Sequence, residues 1–256
     1  MDPLTQTLLT SDSVKISVDL YQQKSHETIV IVCPGFFQTK NTNTFHQMNL
    51  ALAKEHDVLA MDFRGHGHSS GLYTFSAHEG RDLEVALQFA RERYQYIGIL
   101  SFSLGAAIAI NTVAHGRERI QSLIAVSGPC AFEEIEFKWW TPEAIRTSVD
   151  GLEIGMGCRP GTLFLKKERP IDNVRKLHPI PILFIHGTRD VIVGAEHSRR
   201  LYAEAFEPKR LEIIEGGSHA EALFRNDPEY FMNLVNRWFA QTLTSSANSP
   251  NSTDST

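Results

Sequence analysis

Ile99-Leu-Ser-Phe-Ser-Leu-Gly-Ala-Ala-Ile108 carries an apolar strand straight into Ser103 and leaves it at once as a helix of small residues, Leu104, Gly105, Ala106 and Ala107. So tight a turn brings the strand and helix backbones close together, which requires small neighbours. It also lifts the central side chain above the carboxyl edge of a sheet in a strained conformation. The first helical N–H groups and the positive end of the helix dipole then face any negative charge that forms there. Read alone, the segment equally suits a serine that caps a buried helix, because SxSxG by itself is a weak signal.

Apolar runs of the same kind recur on both sides: Ile29–Cys33, Val58–Phe63, Leu123–Gly128, Ile182–Gly187 and Leu211–Glu215, besides Ile97–Phe102 itself. Most lack polar alternation, as strands covered on both faces of a parallel sheet do. Helical patterns lie between most of them. Leu83, Ala86, Leu87 and Ala90 share a helical face behind Ser76-Ala-His-Glu79, which reads as a capping box. Asp227-Pro228 reads as an N-cap and first-turn proline ahead of the stripe Phe231, Leu234, Val235, Trp238 and Phe239. Strands alternating with helices imply a doubly wound, mostly parallel α/β sheet. Leu4–Thr10 and Val14–Tyr21 flank Ser11-Asp12 as an antiparallel hairpin at one sheet edge.

Two stretches break the rhythm. Residues 129–178 are too long for one crossover and hold Phe132, Phe137, Trp139, Trp140 and Phe164. An insertion of that length and aromatic content is read as a lid or cap; Trp139 and Trp140 suit ordinary core as well, and their place in the insertion favours the substrate pocket or lid. Residues 244–256, rich in Ser, Thr and Asn, are read as a disordered tail. Residues 1–128 and 179–243 then form one core.

Composition narrows the function. The 256 residues carry 25 Lys+Arg against 30 Asp+Glu, net −5, with no basic stripe to track phosphates, so nucleic acid is not an expected partner. The opening MDPLTQTLLTSDS has neither a basic nor an apolar signal region, and Ile97–Ile110 is too short and too interrupted to span a bilayer. No integral membrane segment is therefore expected. Cys33, Cys130 and Cys158 fit neither a disulfide framework nor a metal site, so a cytoplasmic protein without metal or cofactor is expected. Arg64-Gly-His-Gly-His-Ser69 holds two histidines but no zinc spacing, and reads as a structural loop. Asp62 suits loop bracing, and His186 a hydrogen-bonded turn.

A serine hydroxyl needs a base to become a nucleophile, and the base needs an orienting acid. Asp190 follows the strand ending Phe184-Ile-His-Gly187, and His219 follows the strand beginning at Leu211 in the turn Gly216-Gly-Ser-His219. Separately they are an ordinary turn aspartate and loop histidine. Together with Ser103 they give the order Ser, Asp, His, each beyond its own strand's carboxyl end, where the crevices of parallel sheets bind ligands.

These segments resemble the α/β-hydrolase superfamily, in particular its lid-bearing esterase, monoacylglycerol-lipase-like and serine-aminopeptidase-like members, over roughly residues 12–243. The motifs are Cys33-Pro-Gly-Phe36, Asp62-Phe-Arg-Gly-His-Gly-His-Ser69, Ser101-Phe-Ser-Leu-Gly105, His186-Gly-Thr-Arg-Asp190 and Gly217-Ser-His219. The resemblance implies an α/β-hydrolase fold of about eight strands with a helical lid. It makes Ser103 the nucleophile, His219 the base and Asp190 its orienter, with the backbone N–H groups of Phe36 and Leu104 as the oxyanion hole. Ser101 stands where the family's first elbow glycine usually does, and Pro34 where it often has histidine.

The expected activity is hydrolysis of a small-molecule carboxylic ester, short- to medium-chain or monoacylglycerol-like, through an acyl-enzyme. Two rivals share the fold. An aminopeptidase would use Glu133, Glu134 and Glu136 to hold a substrate's free ammonium, and a non-catalytic ligand-binding protein would keep the scaffold alone. Oligomeric state is not legible.

Overall fold

A computed structural model describes residues 2–22, 26–116, 120–135 and 152–243. Its frame is an eight-stranded sheet: β1 (Leu4–Leu9), β2 (Lys15–Tyr21), β3 (Thr28–Cys33), β4 (Asp57–Met61), β5 (Tyr96–Phe102), β6 (Ser122–Val126), β7 (Ile182–Gly187) and β8 (Lys209–Ile214). Their spatial order is β1-β2-β4-β3-β5-β6-β7-β8. β1 and β2 pair antiparallel as the expected edge hairpin, β2 meets β4 antiparallel, and the other pairs are parallel.

Two apolar layers sandwich the sheet, and the two-residue strand period sorts residues between them. In β3, Ile29, Ile31 and Cys33 join one core with Leu83 and Leu87 of α2 (Gly80–Arg91), Ile108 and Val113 of α3 (Leu104–His115), and Leu201. Val30 and Val32 face the other way, against Phe45 and Met48 of α1 (Asn43–Leu52) and Phe231 and Trp238 near the chain's end. Both faces being covered, β3 to β7 read as continuous apolar runs. Full burial of each such side chain contributes roughly 1.5–3 kcal/mol.

The remaining helices among the described residues are α4 (Pro170–Asn173), α5 (Glu196–Glu204), α6 (Ala222–Asn226) and α7 (Pro228–Thr242). α7 begins as its sequence implies: Asp227 Oδ1 accepts the Tyr230 N–H at 3.0 Å and Pro228 occupies the first turn. The capping box ahead of α2 does not form. Phe75 and Ser76 both take positive φ, and this turn sets Thr74, not Ser76, against Glu79. The Glu79 carboxylate accepts the Thr74 N–H at 2.5 Å and the Thr74 hydroxyl at 2.9 Å, while Ser76 Oγ has no partner among the described residues. α2 starts at Gly80 instead.

Of the 129–178 insertion, residues 136–151 lie outside the described residues, and with them Phe137, Trp139, Trp140 and Glu136; so does the 244–256 tail. The described remainder holds a short 3₁₀ turn at Phe132–Glu134, α4 and a second 3₁₀ turn at Val174–Leu177. Leu152–Gly161 lies along the carboxyl ends of β3 and β4. Gly157 donates to Phe37 O at 2.9 Å, Arg159 to Gly65 O at 2.7 Å, and Gly161 to Tyr73 O at 2.7 Å.

Candidate active site

β3 and β5 are neighbours in the sheet although β4 lies between them in sequence, which makes their carboxyl ends a switch point. Their register pairs Cys33 with Ser101, so the next residues of each chain meet just above the sheet. Ser103 holds φ 50° and ψ −120° there, and its N–H donates to Val126 O at 2.8 Å. Such a conformation costs about 1–3 kcal/mol and persists only where surroundings enforce it.

Gly105 shows how close the approach is. A Cβ there would lie 2.3 Å from Pro34 O and 2.5 Å from Cys33 O, so only glycine lets α3 press against the loop after β3. Ser101 is accommodated because its hydroxyl donates to Ile124 O of β6 at 2.8 Å. The elbow therefore closes without the family's first glycine.

Ser103 Oγ is 3.0 Å from His219 Nε2, and His219 Nδ1 is 2.7 Å from Asp190 Oδ2. With the imidazole proton on Nδ1 facing the carboxylate, Nε2 accepts the serine hydroxyl. Asp190 Oδ1 accepts the N–H groups of Ile192 at 3.0 Å and Val193 at 2.9 Å, which fixes the carboxylate plane. Burial alone would raise the Asp190 carboxyl, but the charge of His219 and hydrogen bonds from His186 and His219 outweigh it and hold the group well below the usual carboxylate range. For His219, burial opposes the charge, yet the adjacent Asp190 carboxylate raises the imidazole above its ordinary value, helped by Glu221.

The N–H groups of Phe36 and Leu104 have no acceptor among the described residues, on the two loops that converge at Ser103. A cavity of about 440 Å³ opens over Ser103 and His219. Its wall is chiefly apolar, with Phe36, Phe37, Ile135, Leu152, Met156 and Ile192 prominent. Glu221 and Arg225 stand among them, and burial pushes the Glu221 carboxyl up.

The structure thus brings Ser103, Asp190, His219, Phe36 and Leu104 together, while Trp139 and Trp140 lie outside the described residues. Glu133 and Glu134 are engaged elsewhere. Arg169 pairs with both, and Arg200 with Glu134, so their charge is already met. Asp62 braces loops as its sequence suggests, accepting Lys40 N–H at 2.9 Å and His68 N–H at 3.0 Å. Arg64 is buried between Asp12 and Asp82, at 2.9 and 2.7 Å.

Two contributors had no clear sequence signal. His186 lies within β7 rather than in a turn, fully buried, with Nδ1 2.6 Å from Ser198 Oγ and Nε2 3.1 Å from Asp190 Oδ2. Ser127, at φ 51°, accepts the Ala220 N–H at 3.0 Å and so anchors the residue after His219 to the end of β6. An apolar strand ending in histidine was the only hint of the first.

Comparison with known proteins agrees with this architecture. The family described by the alpha/beta hydrolase fold matches residues 28–143. The uncharacterised protein YfhR of Escherichia coli K12 is 29% identical over 173 residues, 65% of this chain and 54% of that protein. The chain thus spans about half the length of this relative. Among solved structures, the Pyrococcus furiosus esterase Pf2001 superposes with a TM-score of 0.77 at 22% identity, covering 95% of this chain and 92% of that one. The esterase RhEst1 from Rhodococcus sp. ECU1013 gives 0.74 at 20% identity, covering 94% and 99%. Sheet order, the strained elbow at Ser103 and the matched segment converge on one conclusion: the chain has the α/β-hydrolase fold.

Proposed function

We propose that this protein is a serine hydrolase that cleaves small carboxylic esters through an acyl-enzyme. The observation that carries the reading is the continuous hydrogen-bonded chain from Ser103 Oγ through His219 to Asp190 at 3.0 and 2.7 Å. His219 takes the Ser103 proton as the oxygen attacks the ester carbonyl. The N–H groups of Phe36 and Leu104 hold the oxyanion, and each such donor is typically worth 10²–10³ in rate. The tetrahedral intermediate expels its alcohol, which leaves with the proton from His219. Water, deprotonated by His219, then attacks the acyl-serine and releases the carboxylic acid.

The apolar cavity favours acyl chains of short to medium length, and a monoacylglycerol-like ester falls in the same class. Pairing of Glu133 and Glu134 with arginines weighs against an ammonium-binding aminopeptidase. A p-nitrophenyl ester series from acetate to palmitate, run beside Ser103→Ala, tests the reading. Loss of up to ~10⁶ in kcat in the variant supports it. Equal activity in the variant and wild type removes Ser103 as nucleophile. No turnover of any ester by the folded wild-type protein removes the esterase.

A further inference from the structure

The Arg64–Ser69 loop touches the site through one side chain. His66 is 1% exposed, and its Nε2 lies 3.1 Å from the Phe37 N–H. Its Nδ1 lies 3.2 Å from Arg64 O, which fixes the tautomer: Nδ1–H donates to that carbonyl, and Nε2 presents a lone pair to Phe37. Tyr73 packs edge-on against the ring at a centroid distance of 4.5 Å. Burial lowers the imidazole to about 4, so it remains a neutral acceptor at ordinary pH.

Phe37 needs that acceptor. It is the third residue of the turn Gly35–Gln38, closed by Gln38 N–H to Gly35 O at 3.3 Å, and its φ is +71°. A positive φ at that position is the signature of a type II turn, normally given to glycine or asparagine. Phenylalanine there carries a strain of the order usual for non-glycine residues in this region. The alternative type I turn rotates the Phe36–Phe37 peptide by about half a turn, which would take the N–H off His66 and bring the Phe36 carbonyl toward its lone pair.

The Phe36 N–H belongs to the same peptide plane as the Gly35 carbonyl. Gln38 holds that carbonyl in either turn type, so His66 acts on where the turn stands: with the central peptide flipped, the Phe36 carbonyl would repel the Nε2 lone pair and push Phe36 away from Ser103. Phe37 is gripped at both ends, its N–H by His66 and its C=O by Gly157 at 2.9 Å. The second grip on the loop is Asp62, which holds Lys40 N–H. A side chain at Gly67 would put its Cβ 2.2 Å from Asp62 Oδ2, so the glycine between the two histidines keeps the clamp closed.

We propose that His66 is a positioning residue for the oxyanion hole: its neutral Nε2 holds Phe37 in a left-handed turn and thereby aims the Phe36 N–H at the carbonyl oxygen reacting with Ser103. The inference rests on the acyl-transfer reading above and adds to it a residue that does not touch substrate.

The experiment compares wild type, His66→Phe, His66→Gln and His66→Asn. The readouts are p-nitrophenyl butyrate kinetics, labelling of Ser103 by a fluorophosphonate and the melting temperature. Phenylalanine keeps the ring but removes the acceptor. Glutamine can place an oxygen near Nε2, and asparagine is too short to do so. The expected result is a kcat lower by roughly 10- to 100-fold in His66→Phe with KM within about threefold, because a misaimed donor loses transition-state rather than ground-state binding. Labelling slows in parallel, and His66→Gln recovers most of the loss.

Wild-type kcat in folded His66→Phe overturns the proposal, as does a His66→Gln no faster than His66→Phe at equal melting temperature. If His66→Phe does not fold, the Gln and Asn pair decides. Glutamine faster by about tenfold or more supports the role, and equal rates overturn it. A wild-type protein that neither labels nor hydrolyses the ester overturns the acyl-transfer reading itself and this inference with it.

Discussion

His186, buried inside β7, places its Nε2 3.1 Å from the same Asp190 oxygen that His219 reaches at 2.7 Å. One carboxylate oxygen thus faces two imidazoles, while the other accepts two backbone N–H groups from Ile192 and Val193. His186 also reaches Val193 O at 2.7 Å, so a single ring ties the acid and the turn that carries it to the strand. Replacing it by phenylalanine keeps volume but frees the turn. The expected loss is roughly 10- to 100-fold in kcat, as displacements of about 1 Å near reacting groups produce. Steady-state kinetics on p-nitrophenyl butyrate, with a folded variant confirmed by near-UV circular dichroism, checks it.

Asp190→Asn tests the acid directly. An amide in place of the carboxylate favours the wrong imidazole tautomer, with the proton on Nε2, and the expected fall in kcat is ~10⁴. Ser103 labelling should slow by a similar factor. A fall of tenfold or less would mean that another group orients His219.

The pH profile follows from the same pair. His219 must be neutral to accept the Ser103 proton, and Asp190 raises its titration above the ordinary imidazole value. Activity should therefore rise with pH as His219 loses its proton, with the acid limb of kcat/KM lying above about 6.5, the unperturbed value. Removing the charge of Glu221, the other group raising His219, should move that limb down. Rate against pH for wild type and Glu221→Gln measures the displacement; an upward move contradicts the electrostatic account.

Much of this arrangement was legible before any coordinates. Five of the six apolar runs marked the buried strands β3 to β7 because both sheet faces are covered there, the sixth marked the half-exposed edge strand β8, and small residues around Ser103 marked the elbow because two backbones converge there. Strand ends were less legible. Val58–Phe63 stops at Met61 because Asp62 turns to hold Lys40 and His68, and Leu123–Gly128 stops at Val126, where Ser127 takes a positive φ. The capping box misled because its motif counts spacing, whereas two positive-φ residues decided which hydroxyl faced Glu79. His66 and His186 were read only as loop and turn residues, and their partners stayed hidden for a related reason. Their partners are a backbone N–H and a carboxylate on other loops, and no spacing within either histidine's own motif encodes those contacts.

Gly105 offers a test in which packing and activity are read separately. An added methyl would meet two backbone carbonyl oxygens, from Cys33 and Pro34, and backbone cannot step aside as a flexible side-chain end can. Overpacking of this kind costs about 1–3 kcal/mol. For a domain of this size that is a drop of several degrees in melting temperature, at roughly 2–4 °C per kcal/mol. Because the displaced loop is the one bearing Phe36, Gly105→Ala should also lose kcat by more than its stability change explains at 25 °C, where the protein remains folded. Gly194→Ala is the matched control, since a Cβ there meets nothing within 4 Å, and its effect should stay within about 0.5 kcal/mol. If Gly105→Ala melts lower yet turns over ester at the wild-type rate, the contact between α3 and the loop after β3 serves folding alone.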